Sequence, residues 1–252
     1  MIPVLDLRGG RAVLARGGRR EAYEPVRSVL VAAGEGGDPL ALARAYRHTL
    51  DCDETYVADL DAIGGGAVQR ALVHDLSRVG SRLFVDAGVT TSERAQELVA
   101  HGAWRVVVGL ETLPSFAALA AVASTVGSQR LVFSLDLGAG VPLVRPDATL
   151  GGTPLELAHA AVGAGAGAII VLDLTRVGSG RGVDLRLVDE LRHALPGVEL
   201  LAGGGVGTLD DLERLAGAGL NGALVATALH DGRLTRNELA ATRRVDHWRD
   251  SR

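Results

Sequence analysis

Four aspartates end short apolar runs in this chain: Asp6, Asp59, Asp136 and Asp173. Asp6 and Asp136 share a context, Leu5-Asp6-Leu7 against Leu135-Asp136-Leu137. Two carboxylates facing each other in a dry cleft take different pKa values, so that one serves as base and the other as acid. Proton transfer between neighbouring carbons needs such a pair. Loop anchoring is the alternative for these two. Asp59 and Asp173 read first as anchors for loop amides. Their second reading is substrate binding for Asp59 and catalysis for Asp173, with Thr175 and Arg176 beside it to orient a substrate.

A second chemistry is carried by glycines. Gly203-Gly204-Gly205 follows an apolar run, and Ala226-Thr227 follows the next one. Glycine lets the backbone approach a ligand closely. Exposed amides there cradle an anion such as phosphate without a basic side chain. As a dinucleotide fingerprint the triple glycine has the wrong spacing. The corresponding place earlier in the chain reads Asp86-Ala87-Gly88, with Glu111 after the following run. Carboxylates repel phosphate, so this half is expected to hold a cationic or hydrogen-bond-donating group. A helix cap, or an arginine partner, is the competing role for Asp86.

Composition narrows the classes. All 26 basic residues are arginine, so lysine Schiff-base chemistry and a P-loop are excluded. A net charge of -4 gives no footprint for nucleic acid or an anionic membrane. No apolar run reaches the roughly 18 residues of a membrane span. Cys52 is the single cysteine and the start has no basic leader, which fits a reducing cytoplasm. His48, His74, His101, His159 and His193 lack metal-ligand spacing, so neither metal nor cofactor is expected.

The elements that position these residues alternate. Candidate strands are 2–7, 54–60, 82–86, 105–109, 130–137, 168–174, 198–203 and 222–226. Helical patterns lie at 39–50, 67–79, 92–100, 114–123, 154–162, 185–194, 209–216 and 233–244. Alternation of this kind predicts parallel βαβ units, and eight of them predict a closed (β/α)8 TIM barrel. The first loop runs to about Asp38, with a short hairpin around Ala12–Ala15. A second long loop covers 138–153. The chain also repeats itself. Asp86-Ala87-Gly88-Val89-Thr90-Thr91 matches Gly203-Gly204-Gly205-Val206-Gly207-Thr208, and Asp38-Pro39-Leu40 matches Thr153-Pro154-Leu155. One domain over 1–252 is expected, built of half-barrels of about 1–129 and 130–252.

The segments Ile2-Pro3-Val4-Leu5-Asp6-Leu7, Val106-Val107-Val108-Gly109, Ser134-Leu135-Asp136 and Gly203-Gly204-Gly205-Val206 with Ala228-Leu229 resemble the HisA/HisF superfamily of histidine biosynthesis. The resemblance spans residues 2 to about 235. It implies a duplicated half-barrel and a sugar substrate with two phosphates, one per half. HisA performs an aldose–ketose (Amadori) isomerisation, and HisF is the cyclase half of a glutamine-dependent synthase. The resemblance makes Asp6 the acid–base residue and Asp136 its support.

Two positions depart from the family pattern. The family's second acid–base aspartate precedes a glycine; here that pair is Val177-Gly178. The first-half phosphate glycines are Asp86-Ala87. The stretch from Gly17 to Val26, with Ala58-Asp59-Leu60-Asp61-Ala62-Ile63, is similar to HisA/HisF-like proteins of archaea and methylotrophs, which implies a link to methanopterin-type one-carbon cofactors. The leading expectation is an isomerase or lyase acting on a ribosyl monophosphate, with Asp6 as base and Asp136 or Asp173 as acid. True HisA activity is the alternative, with Asp173 or Thr175 replacing the lost aspartate. A non-catalytic partner subunit is the third. The assembly expected is a monomer or small homo-oligomer.

Overall fold

In the computed structural model, residues 1–16 and 19–242 are described. Among the described residues eleven strands run in chain order: β1 (Ile2–Arg8), β2 (Arg11–Arg16), β3 (Arg19–Pro25), β4 (Glu54–Asp59), β5 (Arg82–Asp86), β6 (Ala103–Gly109), β7 (Leu131–Gly138), β8 (Val141–Pro142), β9 (Ala168–Asp173), β10 (Glu199–Gly203) and β11 (Gly222–Val225). Eight of them pair in parallel in the order β11-β10-β9-β7-β6-β5-β4-β1. The ring closes through Ile2↔Leu224 and Pro3↔Val225. This is the (β/α)8 barrel that the alternation predicts. The antiparallel hairpin β2–β3 stands on β1, around the expected Ala12–Ala15, and β8 folds back on β7.

The chain forms these elements for local reasons. The barrel strands are buried on both faces, so they read as continuous aliphatic runs. One face of each strand fills the barrel with Ile2, Tyr56, Phe84, Val107, Val132, Ile170, Leu201 and Leu224. The other face packs under the helices with Leu5, Val57, Val85, Val106, Phe133 and Ile169. The helices start on side-chain caps. Asp38 accepts from Leu40 N–H, Ser115 from Ala118 N–H and Thr153 from Glu156 N–H. Thr91 and Thr208, which occupy matching places in the repeat, cap 92–100 and 209–217 with nearly the same backbone angles. The expected helix over 39–50 divides into an α-helical turn, Pro39–Arg44, and a π-helical turn, Ala45–Thr49, closed by Leu50 N–H donating to Ala45 O.

The barrel floor is charged. The Arg105 guanidinium lies over the Trp104 ring at 4.5 Å and pairs with Glu199 at 2.8 Å. Arg82 covers Trp104 at 4.4 Å and pairs with Glu54 at 2.9 Å. Among the described residues, no helix is long and apolar enough to cross a membrane.

Candidate active site at the barrel mouth

A cavity opens at the C-terminal ends of the barrel strands, where this fold places its chemistry. One wall is acidic: Asp6 from β1, Asp86 from β5, Asp136 from β7, and Glu111 just past β6. The facing wall is backbone: Gly204 and Gly205 after β10, Ala226 and Thr227 after β11. Tyr23 and Leu14 from the hairpin cover one side.

The acidic wall consumes its own amides. Gly88 N–H donates to Asp86 Oδ1 at 3.1 Å. Glu111 N–H donates to Asp136 Oδ2 at 3.3 Å, and the Ser134 hydroxyl donates to Asp136 Oδ1 at 2.6 Å. Tyr56 OH donates to Asp86 Oδ2 at 3.3 Å. Helix 92–100 takes its cap from Thr91, so the capping role considered for Asp86 falls away. Burial and, after it, the Asp86 charge raise the Asp6 carboxyl from 3.8 to about 7. Burial and the Glu111 charge also hold Asp136 well above the usual carboxylate range, against the lowering effect of the Ser134 hydrogen bond. No group among the described residues donates to the Asp6 carboxylate.

The opposite wall is built differently. Gly204 and Gly205 hold φ of +98° and +81°. A Cβ on Gly204 would lie 2.7 Å from the Asp173 carbonyl oxygen, so this turn requires glycine. The N–H groups of Gly204, Gly205 and Thr227 engage no acceptor among the described residues. The loop 177–182 laps over this turn, with Gly182 N–H donating to Gly205 O at 3.0 Å.

The sequence-expected residues divide accordingly. Asp6, Asp86, Glu111, Asp136, Gly204, Gly205, Ala226 and Thr227 meet at the cavity. Gly203 lies in β10, against Leu224 and Leu172. Four others do not reach the lining, and for the two that end strands the reason is strand parity. Ala58 and Leu172 face the cavity, so the next residues, Asp59 and Asp173, face away. Asp59 accepts from the N–H of Ala62 and Gln69 and from the Gln69 amide. Asp173 accepts from Ala139, Gly140 and Thr175 N–H and from the Thr175 hydroxyl. Arg176 donates to Gly182 O at 3.1 Å and stands 3.6 Å from Asp173. Asp59, Asp173, Thr175 and Arg176 thus fasten loops and stand outside the residues that line the cavity. Gly17 and Gly18 of the early motif lie outside the described residues.

Three polar side chains of the lining were not among the expected site residues: Tyr23, Tyr56 and Arg233. Tyr56 shares the inward parity of Ala58, which could have found it. Val177, the departure from the family pattern, does line the cavity. Among the described residues, no three His, Cys, Asp or Glu side chains converge to hold a metal ion.

Comparison with known proteins agrees with this architecture. The family model described as "Histidine biosynthesis protein" matches residues 1–235. A relative from Deinococcus radiodurans is 33% identical over 93% of this chain and 94% of its own length. One from Thermus thermophilus is 30% identical over 94% of this chain and 97% of its own. Both are named 1-(5-phosphoribosyl)-5-((5-phosphoribosylamino)methylideneamino) imidazole-4-carboxamide isomerase. An imidazole glycerol phosphate synthase subunit HisF from Exiguobacterium sibiricum is 29% identical over 94% of this chain and 93% of its own length. With a family match over most of its length and a relative above 30% identity, this chain belongs to the HisA/HisF family of histidine-biosynthesis barrels.

Proposed function

We propose that this protein is an aldose–ketose isomerase of the HisA type that grips one phosphate of a ribosylamine phosphate in the cup formed by Gly204, Gly205 and Thr227. The names of the relatives support the reaction type. The number of phosphates is carried by one observation: the first-half amides of Gly88 and Glu111 already donate to Asp86 and Asp136. A phosphate there would meet carboxylates in place of free donors.

In such an isomerisation the ring oxygen gains a proton as the ring opens to an imine. The C2 proton then leaves, and a proton returns to C1 as C2 becomes a ketone. Asp6, raised to about 7, is present as both acid and carboxylate at neutral pH. One residue can therefore give the first proton and take the second, which suits a site where the family's other aspartate is Val177. Asp136, with both oxygens engaged, holds Glu111 and its loop in place. The duplicated halves, about 1–129 and 130–252, have divided the work: one binds phosphate and the other handles protons.

The second reading is the relatives' own reaction, on a substrate whose name carries two phosphoribosyl groups; identity over nearly the whole chain favours it. Incubating the purified protein with the mono- and the bis-phosphorylated aminoaldose, each followed by NMR, separates the two. Turnover of the bis-phosphate alone returns the histidine-pathway isomerase. Full activity in Asp6→Asn removes Asp6 from the mechanism under either reading.

A further inference from the structure

A phosphate dianion held in the cup by backbone amides alone meets no compensating charge. The far wall of the cavity carries carboxyl groups, Asp6, Asp86, Glu111 and Asp136, and supplies no cation. Backbone amides supply dipoles but no net charge. Among the described residues lining the cavity, Arg233 is the only cationic side chain. It reaches the cup from the chain just beyond β11. Its Nε pairs with Asp231 Oδ2 at 2.8 Å, and its backbone N–H donates to Asp231 Oδ1 at 3.1 Å. Its Nη1 lies over Gly207, 2.8 Å from where a Cβ on that glycine would sit. Gly207 is two residues past Gly205, so the guanidinium hangs beside the cup.

The Asp231 pair does not commit this arginine. Both side chains are nearly half exposed, at 47% and 41%, and pairs of that kind contribute little. Asp231 uses the Nε edge, which leaves the outer nitrogens for a second acceptor. A guanidinium fork matches phosphate geometry and carries the compensating charge. We infer that Arg233 is the counterion of the substrate phosphate, held beside the cup by Asp231 and given its space by Gly207. This rests on the reading that the C-terminal cup takes a phosphate. It extends that reading to a side chain, and to a substrate class whose anionic end must be a dianion rather than a neutral sugar.

The test is binding of ribose 5-phosphate and of inorganic phosphate to wild type, Arg233→Met and Gly207→Ala, by calorimetry at two ionic strengths. Arg233→Met is expected to weaken ribose 5-phosphate binding roughly 10- to 100-fold and to flatten its salt dependence. Gly207→Ala should reproduce part of that loss, because its methyl group displaces the guanidinium. Arg233 is exposed and Gly207 is a buried loop residue outside the hydrophobic core clusters, and unchanged thermal unfolding would establish that both variants fold. Wild-type-like binding in folded Arg233→Met overturns the assignment of the arginine while leaving the phosphate cup intact. If wild type itself binds neither phosphate compound, the cup and the arginine fall together.

Discussion

The Oδ2 atoms of Asp86 and Asp136 converge over Gly109: a Cβ on that glycine would lie 3.6 Å from the first and 2.8 Å from the second. Any side chain at 109 would wedge between two carboxylates that the barrel brings together from β5 and β7. The consequence is a pair of carboxyl groups where the family resemblance implies a second phosphate. Asp86→Gly removes one of the two carboxylates and frees the Gly88 N–H. The variant is expected to gain about tenfold or more in affinity for a bis-phosphorylated aminoaldose, with little change for the mono-phosphate. Competition calorimetry with the two ligands measures this. Equal gains for both would mean that Asp86 acts on the whole cavity rather than on one subsite.

Asp6 ties stability to pH. Its carboxyl ionises near 3.8 in the unfolded chain and at about 7 in the fold. Between those values the folded protein keeps a proton that the unfolded chain has lost. The protonated form's contribution is therefore complete below about pH 4 and declines as pH rises to 7. Asp6→Asn should abolish this decline, and at pH 8 it should be more stable than wild type by at most about 4 kcal/mol, a ceiling that partial solvent contact lowers. Urea unfolding from pH 4 to 8 reads the slope directly. Parallel slopes in the two proteins would mean that Asp6 titrates at an ordinary carboxylate pKa. The same group should place a limb near pH 7 in the rate profile, and Asp86→Asn should move that limb to lower pH by removing the charge that helps to raise it.

Val177 lines the cavity where the family resemblance expects an aspartate. Restoring it with Val177→Asp adds a second proton-transfer group without displacing a packed core residue. Turnover of the aminoaldose is expected to rise by about tenfold or more, at the low end of what a positioned acid–base group supplies. Steady-state kinetics on the mono-phosphate decides it. An unchanged kcat would mean that Asp6 already carries both proton transfers without limiting the rate.

The barrel was legible because its strands are buried on both faces and its helices start on capping residues; Asp38, Thr153 and the paired Thr91 and Thr208 are visible as residue types. That Asp6 and Asp136 both reach the barrel mouth was legible from the repeat. The direction in which Asp59 and Asp173 face was not. A strand that is apolar on both sides carries no polar marker of which face points inward, so four strand-ending aspartates look alike until parity is fixed. Leu172 facing the cavity is what turns Asp173 toward Ala139 and Gly140. Arg233 was obscured for another reason: its place at the site depends on how the short turn 227–230 directs the chain, and on an absent side chain at Gly207.

The floor of the barrel gives a stability test that is independent of any substrate. The Arg105 side chain is 13% exposed and Glu199 is 32% exposed, and they pair at 2.8 Å. Arg105 Nε and Nη1 are buried without a hydrogen-bond partner, so the guanidinium is incompletely compensated for leaving water. Such a pair contributes little in net terms, yet it is costly to break from one side. Arg105→Met leaves Glu199 uncompensated and removes the stacking on Trp104 and Phe84, and it is expected to cost about 2–3 kcal/mol. Arg105→Met combined with Glu199→Leu removes both charges together and should recover most of that loss. Denaturant unfolding of the two single variants and the double variant yields the coupling. If the double variant is as unstable as the sum of the singles, the two charges do not interact and the pair is not what holds the floor closed.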